Sequence, residues 1–510
     1  VLPFSFAGIK SGRESRGLRS QGPVPIRIPK AAAYTSVMLD HKIIIDASER
    51  RNLIASAGLK IASTVGGEIL DDSDLLSEVA NLVESPKVFL GEFDRQYLDM
   101  PQEVLMAVMM KHQRYFPILN EGNLIPFFLG VHNADIEDSE LVIQGNEKVI
   151  SARFSDASYF VKADSQRKFH EFRQDLSRLT FQEQLGSMLD KSQRIEQLAV
   201  QLAQFFELDN NQIATVKKAA HLSKADLATQ MVVEMTGLQG VIGREYALDS
   251  GESKQVAEAI EQHYWPLRIN SDLPESIPGV IVGLADRLDS LVGLLSVGLK
   301  PTGDTDPFGQ RKMALGCVQL LLGKTLDIDL RIALEMAAQT QPVRTEAVVE
   351  QAASFILKRL QVVLRDRDYR HDVLEAVLSV QGYNPWRALQ SIDQLTRWIG
   401  REDWPIILDS FARCIRILPE TEDLVSVDNG LFSSDCEMDL WEALSNIVPS
   451  DTVDDFLNSF AVIVPAITSF FEEVLVMSDD LDVRSNRIAL LRSVSQLADG
   501  LVDMSKMNGF

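Results

Sequence analysis

The sequence predicts a multidomain protein that is mainly α-helical, with a smaller α+β part towards its N-terminus. Its 510 residues exceed what one ordinary hydrophobic core holds, so about two to four domains are expected. Short runs with strand character, separated by turn residues, occur before about residue 137. From there on, apolar residues recur with the spacing of one helix face.

Residues 1 to about 45 are rich in Gly, Pro, Ser and Arg, with Arg13, Arg16, Arg19 and Arg27 close together. The run PVPIRIPKA alternates as a strand would. Two interpretations are open: the end of a β-rich domain or an arm over the surface, and a contact with RNA. The chain begins with Val and lacks the apolar core and cleavage pattern of a secretory signal. We expect it to be a fragment of a longer chain.

Residues 40 to 136 predict an α+β unit. Helices are expected over 40 to 85, with four candidate caps at residues 71 to 74, and a strand over Lys87–Asp94. Pro101 and Glu103 open the next helix. The strands KHQRYFPIL and LIPFFLGVHN follow, separated by the turn signal Asn-Glu-Gly.

A polar, partly aromatic cluster lies at the end of that helix: Lys111, His112, Arg114 and Tyr115. Cations are favoured at a helix C-terminus, so a solvated helix end explains the cluster. A contact with RNA or a partner protein explains it equally well.

Beyond residue 137 the pattern is helical. The run FQEQLGSMLDKSQRIEQLAVQLAQFF places one apolar stripe on a helix, and residues 320 to 400 are again helical. A connector between domains is expected over Thr396–Pro405. The members of the stripe are Leu185, Met188, Leu189, Ile195, Leu198 and Leu202.

Composition excludes several classes of protein. The net charge of −23 and the pI near 4.8 argue against broad, non-specific nucleic-acid binding, which needs a basic field. Local basic patches on an acidic body stay possible. The three cysteines form no CxxC or His/Cys cluster, which suits a reducing compartment and offers no zinc site. No apolar run reaches the length of a membrane span, and AVIVPAITSFF is short and contains Pro465.

Three acidic residues lie within or beside apolar helical runs: Asp226, Asp286 and Asp289. A metal site for phosphoester hydrolysis is one interpretation, although only His221 and His263 lie nearby. The chain's single His-Asp dipeptide, at 371–372, is far downstream. Ion pairing is the other interpretation, for example with Lys224 or Arg287, and it is favoured because buried charges need partners.

The loop LKPTGDTDPFGQRKMALG is more specific. Asp306 followed by Pro307 predicts a helix start, with Arg311 and Lys312 near the positive end of that helix. Cations there are explained by a bound phosphate, which exposed N–H groups would also hold. Pairing of both cations with Asp304 or Asp306 is the alternative. No Walker-type loop or GxGxxG supports ATP binding by this chain.

The last 100 residues carry two basic patches separated by an acidic stretch. Arg413 and Arg416 are followed by no Lys or Arg until Arg484, after which come Arg487 and Arg492. Solvated helix faces explain such a pattern, and so does local positive charge for a polyanion.

Several long motifs resemble the β subunit of bacterial-type, heterotetrameric glycyl-tRNA synthetase. In family order they are HQRYFPI, IQGNEKVISARFSDASYF, FQEQLGSMLDKSQRI, LSKADLATQMVVEMTGLQGVIGREYA, YWPLRINSDLP, LADRLDSLVG, PTGDTDPFGQRKMALG and VMSDDLDVRSNRIALL, spanning about 110 to 495. The start, SRGLRSQGPVPI, resembles a segment that follows an N-terminal region in the family.

Five regions are expected, of which the resemblance implies the HD-like and the anticodon-binding domains. They are an α+β body over 1–136, incomplete at its N-terminus, a helical linker over 137–174, an HD-like helical domain over 175–325, a helical linker domain over 326–399, and an all-helical anticodon-binding (DALR-like) domain over 400–510. LSKAD stands where an HD hydrolase would have its His-Asp pair, which makes hydrolysis less expected.

The resemblance also implies a glycine–tRNA ligase in which this chain recognises tRNA-Gly. The catalytic site, with ATP and Mg, would lie in an α subunit of an α/β heterotetramer or in a fused α region, so no cofactor, no metal, no catalytic residue and no membrane are expected for this chain. The source would be bacterial and cytoplasmic, or plastid or mitochondrial. An HD-type metal-dependent phosphohydrolase is the alternative function, and a pure assembly scaffold is a third. The candidate tRNA contacts are Lys111, Arg114, Arg311, Lys312, Arg413, Arg416, Arg484 and Arg487.

Overall fold

The structure is a computed structural model that describes residues 2–18, 24–133, 139–267, 271–419 and 426–510. Helices dominate the described residues, and the one sheet of more than two strands found in them lies between residues 68 and 133. The predicted mainly α class, with small sheets towards the N-terminus, is confirmed. Arg19 of the predicted N-terminal arginine group lies outside the described residues.

The strands are short except for one. In chain order they are β1 (Ser5–Phe6), β2 (Ile9–Lys10), β3 (Glu14–Arg16), β4 (Pro25–Arg27), β5 (Glu68–Ile69), β6 (Pro86–Glu92), β7 (Phe116–Asn120), β8 (Asn123–Asn133), β9 (Thr180–Gln182) and β10 (Gly186–Ser187).

The α-helices follow one another closely along the chain. They are α1 (Tyr34–Asp40), α2 (Ala47–Thr64), α3 (Ser73–Leu82), α4 (Gln102–Ala107), α5 (Ser139–Asp164), α6 (Phe169–Asp175), α7 (Met188–Phe205), α8 (Asn210–Leu222), α9 (Gln230–Glu234), α10 (Val241–Asp249), α11 (Lys254–Gln262), α12 (Ile277–Ser296), α13 (Gln310–Gly323), α14 (Leu330–Thr340), α15 (Val348–Arg365), α16 (His371–Gln381), α17 (Pro385–Ile399), α18 (Trp404–Arg416), α19 (Asp435–Ser445), α20 (Val453–Glu473) and α21 (Leu481–Gln496).

The chain forms two compact units. The first contains the chain up to Leu176 together with Lys224–Ser253, and the second contains Ser177–Ser223 and Lys254–Phe510. The predicted HD-like range, 175–325, is therefore divided between the units. The domain assignments implied by the resemblance remain predictions.

The sheet of the first unit is antiparallel, in the order β5-β7-β8-β6. β7 and β8 form a hairpin whose two turn residues, Glu121 and Gly122, both have positive φ (49° and 82°), as a two-residue hairpin turn requires. The Asp72 side chain caps α3 by accepting the N–H groups of Asp74 and Leu75. The predicted hairpin and the cap among residues 71 to 74 are both confirmed.

Asp164 fastens the returning segment Lys224–Ser253 to the first unit. Its buried carboxylate accepts the backbone N–H groups of Gln230 (2.9 Å) and Met231 (3.0 Å) at the start of α9, and the hydroxyl of Tyr246 (3.2 Å). A carboxylate at a helix N-terminus satisfies donors that have no partner within the helix. One acidic side chain thus anchors a segment more than 60 residues further along the chain.

The centre of the second unit is α12, whose residues are buried on all sides except for Asp286 and the terminal Ile277. Helices α7, α8, α11, α13, α14 and α15 pack around it. A helix that is apolar all round is typical of the middle of a large core. The charges carried by α12 must therefore be compensated inside that core.

The C-terminal part of the second unit packs α18, α20 and α21 together. The rings of Phe411, Phe456 and Phe460 lie 5.2 to 6.0 Å apart there. Within the described ranges, α20 is the one helix long and apolar enough to cross a membrane, and its Phe456, Phe460 and Phe470 are buried in the protein. The sequence expectation of no such stretch was wrong, because Pro465 lies inside α20 and does not end it.

Candidate nucleic-acid interface

The first predicted cluster lies where α4 continues into a π-helical turn over Val108–Gln113. Arg114, at φ 57°, ends the turn. Its Nε lies 2.9 Å from Glu78 Oε1 and its Nη1 donates to the carbonyl of Lys111 (3.0 Å). The Lys111 ammonium donates to the carbonyl of Gly237 (3.0 Å). Both side chains are exposed, so each has a protein partner and still faces solvent.

Burial, followed by the nearby Arg153, Arg114 and Lys111 cations, lowers the pKa of His112. The imidazole is therefore neutral near pH 7, and the three cations set the charge of this surface. Sequence reasoning missed Arg153, which lies on α5, some 40 residues along the chain from the others. Its place in an ordinary amphipathic helix carried no signal.

The loop before α13 differs from the prediction. α13 begins at Gln310 after Gly309 (φ 67°), three residues later than predicted. The Asp306 carboxylate accepts the backbone N–H groups of Gln310 (2.8 Å) and Arg311 (2.9 Å). The expected anion position at this helix start is thus filled by the chain's own carboxylate.

The two cations of that loop have different environments. The Arg311 guanidinium donates to the carbonyl of Gly303 and is half-buried, whereas Lys312 is exposed. No described carboxylate forms an ion pair with either of them, so the alternative of pairing with Asp304 or Asp306 side chains is wrong. Both remain predicted contacts, but they act without the N–H groups that Asp306 occupies.

Arg413 and Arg416 lie three residues apart on α18, on one face of the helix. The Arg413 guanidinium lies 4.6 Å from the ring centre of Phe471, and that of Arg416 lies 5.6 Å from that of Phe510. Stacking holds a guanidinium in one orientation while its edge stays available to an anion. This arrangement suits contact with phosphate.

Arg487 does not fit the predicted role. It is buried, its Nε lies 2.7 Å from Glu437 Oε1, and it donates to Ser433 Oγ (2.7 Å) and the Leu475 carbonyl (3.0 Å). Its guanidinium holds α21 to α19 and is not available to RNA. Arg484, one turn earlier on α21, is half-exposed, and no described carboxylate forms an ion pair with it. The sequence could not separate the two, because both stand in one run of mixed charge.

The carboxylates of α12 form a buried ion-pair network. Lys191 Nζ lies 2.8 Å from Asp286 Oδ1 and 3.0 Å from Asp289 Oδ2, and Arg194 Nε lies 2.7 Å from Asp289 Oδ1. Burial lowers the pKa of Lys191, but the two carboxylates outweigh burial and raise it. Ion pairing is confirmed, and the α7 cations Lys191 and Arg194 are partners that the sequence did not indicate.

The Arg287 guanidinium donates hydrogen bonds to backbone carbonyl groups. Its Nη1 donates to the carbonyls of His263 (3.0 Å) and Gly283 (2.8 Å), and its Nη2 to those of Tyr264 (3.0 Å) and Trp265 (2.8 Å). Burial lowers the pKa of this guanidinium. Asp226 likewise accepts the backbone N–H of Gly240 (2.6 Å). These charged groups maintain the fold.

The described residues contain no group of three or more His, Cys, Asp and Glu side chains placed to hold a metal ion, as a hydrolytic metal centre would need. The His221 ring lies 2.8 Å from Glu196. Asp372, of the His-Asp dipeptide, accepts from Arg370 (2.6 Å) and from the backbone N–H of Asn508 (3.0 Å). These residues are joined to separate partners and do not form one site.

Known proteins are similar to this chain over almost its whole length. Residues 1–379 match the family model described as the glycyl-tRNA synthetase β subunit. The chain belongs to the glycyl-tRNA synthetase β-subunit family. It is 36% identical over 519 residues to the chloroplastic/mitochondrial glycine–tRNA ligase 2 of Arabidopsis thaliana. It is 34% identical to the glycine–tRNA ligase β subunits of Moorella thermoacetica, over 524 residues, and Clostridioides difficile, over 517 residues.

These matches cover 99 to 100% of the chain, 48% of the plant relative and 75% of each bacterial one. The chain thus spans about half the length of the plant protein and three quarters of the bacterial β subunits. The family predicted from the sequence motifs is confirmed. Membership of this family disfavours the HD-type phosphohydrolase, since the family match includes the helices that carry Asp226, Asp286 and Asp289.

Proposed function

We propose that this chain is the tRNA-recognition part of a glycine–tRNA ligase, required for the ATP-dependent attachment of glycine to tRNA-Gly. The observation that carries the proposal is the similarity, along the whole chain, to proteins named glycine–tRNA ligase and glycine–tRNA ligase β subunit. The site for glycine, ATP and Mg lies in an α subunit, which forms an α/β heterotetramer with this chain, or in a fused α region. The chain works in the cytoplasm if its source is bacterial, and in the plastid or mitochondrion if it is organellar.

The candidate contacts support RNA binding at separate points of an acidic body. Exposed or half-exposed cations in each unit would meet phosphates, which position RNA without reading its sequence. The overall charge of −23 would limit non-specific binding. The proposed contacts are Lys111, Arg114, Arg311, Lys312, Arg413, Arg416 and Arg484, and Arg487 is removed from the set because of its burial.

Aminoacylation of tRNA-Gly by the α subunit, with and without this chain, tests the proposal. We expect glycyl-tRNA to form only when both are present, and a gel-shift assay to show tRNA-Gly binding by the chain. A chain extended to the length of the bacterial relatives is the control. If the extended chain neither supports aminoacylation nor binds tRNA-Gly, the proposal is wrong.

A further inference from the structure

A cavity of about 550 Å³ lies within the second unit, lined by residues of α15, α16 and the short helix Met504–Lys506. Its lining includes the cations Arg331, Arg365 and Lys506, and Glu375 is the one carboxylate among its described lining residues. None of these three cations stood out in the sequence. They come from three elements spread over 175 residues.

Two of the three cations have no counter-ion among the residues that the structure describes. Arg331 is neutralised by Asp329, whose Oδ1 lies 3.0 Å from its Nε. Arg365 and Lys506 are exposed, and no described carboxylate lies within ion-pairing distance of either. In a chain with a net charge of −23, a local excess of positive charge in a cavity attracts an anion.

Hydrogen bonds of the fold hold part of this positive charge at the cavity. The C-terminal segment that carries Lys506 is fastened to α16 at two points. The N–H of Asp503 donates to the Ala376 carbonyl (2.9 Å), and the N–H of Asn508 to Asp372 Oδ2 (3.0 Å). The backbone on both sides of Lys506 is therefore held against α16 next to the cavity.

A planar surface lies beside the two unpaired cations. The Arg331 guanidinium stacks on the ring of Tyr383, 4.8 Å from the ring centre, and both line the cavity. Unstacked RNA bases pack on aromatic rings and on guanidinium planes. The carboxylates of an acidic peptide would pair with the cations but would not stack on the Arg331–Tyr383 surface. A nucleotide offers both a phosphate and a base, so the lining favours a nucleotide.

We propose that this cavity binds a phosphodiester group of tRNA, with Arg365 and Lys506 as its phosphate ligands and the Arg331–Tyr383 stack as the surface for the adjoining base. The inference rests on the proposed function, since it names tRNA as the molecule that supplies the phosphate. It adds a contact point that lies outside the basic patches evident in the sequence.

Titration of the chain with a labelled tRNA-Gly transcript at about 50 to 200 mM salt tests the inference, because each phosphate contact adds about 0.7 to the slope of log affinity against log salt for single strands. The variant Arg365→Ala/Lys506→Ala should bind about tenfold more weakly at low salt, with a slope shallower by about 0.7 because one phosphate contact is lost. The charge-conserving Arg365→Lys/Lys506→Arg should restore the slope. The matched control is Lys254→Ala/Lys358→Ala, which removes two exposed cations of the same unit outside the cavity and should leave the slope unchanged beyond the small effect of net charge.

Each outcome decides between the two proposals. If the cavity variant has the slope of the control while Arg484→Ala still weakens binding, the cavity inference is overturned and the proposed function stands. If affinity falls with an unchanged slope and a lower melting temperature, the loss is one of folding and the inference is again overturned. If neither the unaltered chain nor the chain extended to the length of the bacterial relatives binds tRNA-Gly, both proposals fail.

Discussion

Asp289 is the residue whose replacement tests the buried network most directly. Its side chain is 0% exposed and accepts from Arg194 (2.7 Å), Gln341 (2.8 Å) and Lys191 (3.0 Å). Asp289→Asn keeps the shape, removes the charge and turns an amide N–H₂ towards two cations. Lys191 keeps Asp286, whereas Arg194 loses the one carboxylate partner it has among the described residues. An uncompensated buried charge costs about 3–5 kcal/mol.

That loss should lower the melting temperature of the second unit by roughly 6 to 20 °C, at about 2–4 °C per kcal/mol. Tryptophan fluorescence reports on this unit alone, because all five tryptophans lie between residues 265 and 441. The control is Asp329→Asn, which removes the charge of a half-exposed pair with Arg331, keeps a good helix cap and should cost less than about 1 kcal/mol.

A second variant separates charge from packing at the same place. In Asp289→Asn/Arg194→Met the unpaired cation is gone, so the double variant should be less destabilised than the sum of its single changes. If Asp289→Asn costs no more than Asp329→Asn, or if the two changes simply add, the network does not stabilise the core in the way argued.

The remaining predictions concern the C-terminal arginines and the buried thiols. Arg487→Ala should destabilise the second unit by about 3–5 kcal/mol, because Glu437 stays buried and unpaired. Arg484→Ala should leave the fluorescence melt unchanged and weaken tRNA binding. If Arg484→Ala lowers stability and Arg487→Ala weakens only tRNA binding, the roles assigned to the two arginines are wrong. Burial favours the neutral acid at Glu437, but hydrogen bonds from Arg487 and Ser433 outweigh it and lower the pKa of Glu437. The stability from this pair is therefore present above about pH 4.3 and lost as pH falls further through the folded-state pKa, and Glu437→Gln should flatten that part of the urea-unfolding profile. Burial raises the pKa of the Cys317 and Cys414 thiols to about 12. Neither thiol should therefore react with Ellman's reagent in the native protein at about pH 8. Rapid reaction of all three free thiols before unfolding would contradict their burial.

Local patterns predicted the elements well where one residue type decides the backbone. The Asn-Glu-Gly turn determined the β7–β8 hairpin, because two successive positive φ angles are required there. The cap at Asp72 followed from its side-chain oxygen. The start of α13 was misplaced because Gly309 and Asp306 together delay it to Gln310, a choice that depends on how the loop folds back.

By itself, the sequence determined the family, through long motifs in a set order, and the helical class, through the period of its apolar residues. The tertiary structure alone decided which charges meet. Asp289 has its partners on α7, about 95 positions earlier, Arg487 is buried against Glu437, and Lys506 lines the same cavity as Arg365. The physical reason is that periodicity and caps act within a few residues, whereas burial and ion pairing depend on packing between elements far apart in the chain.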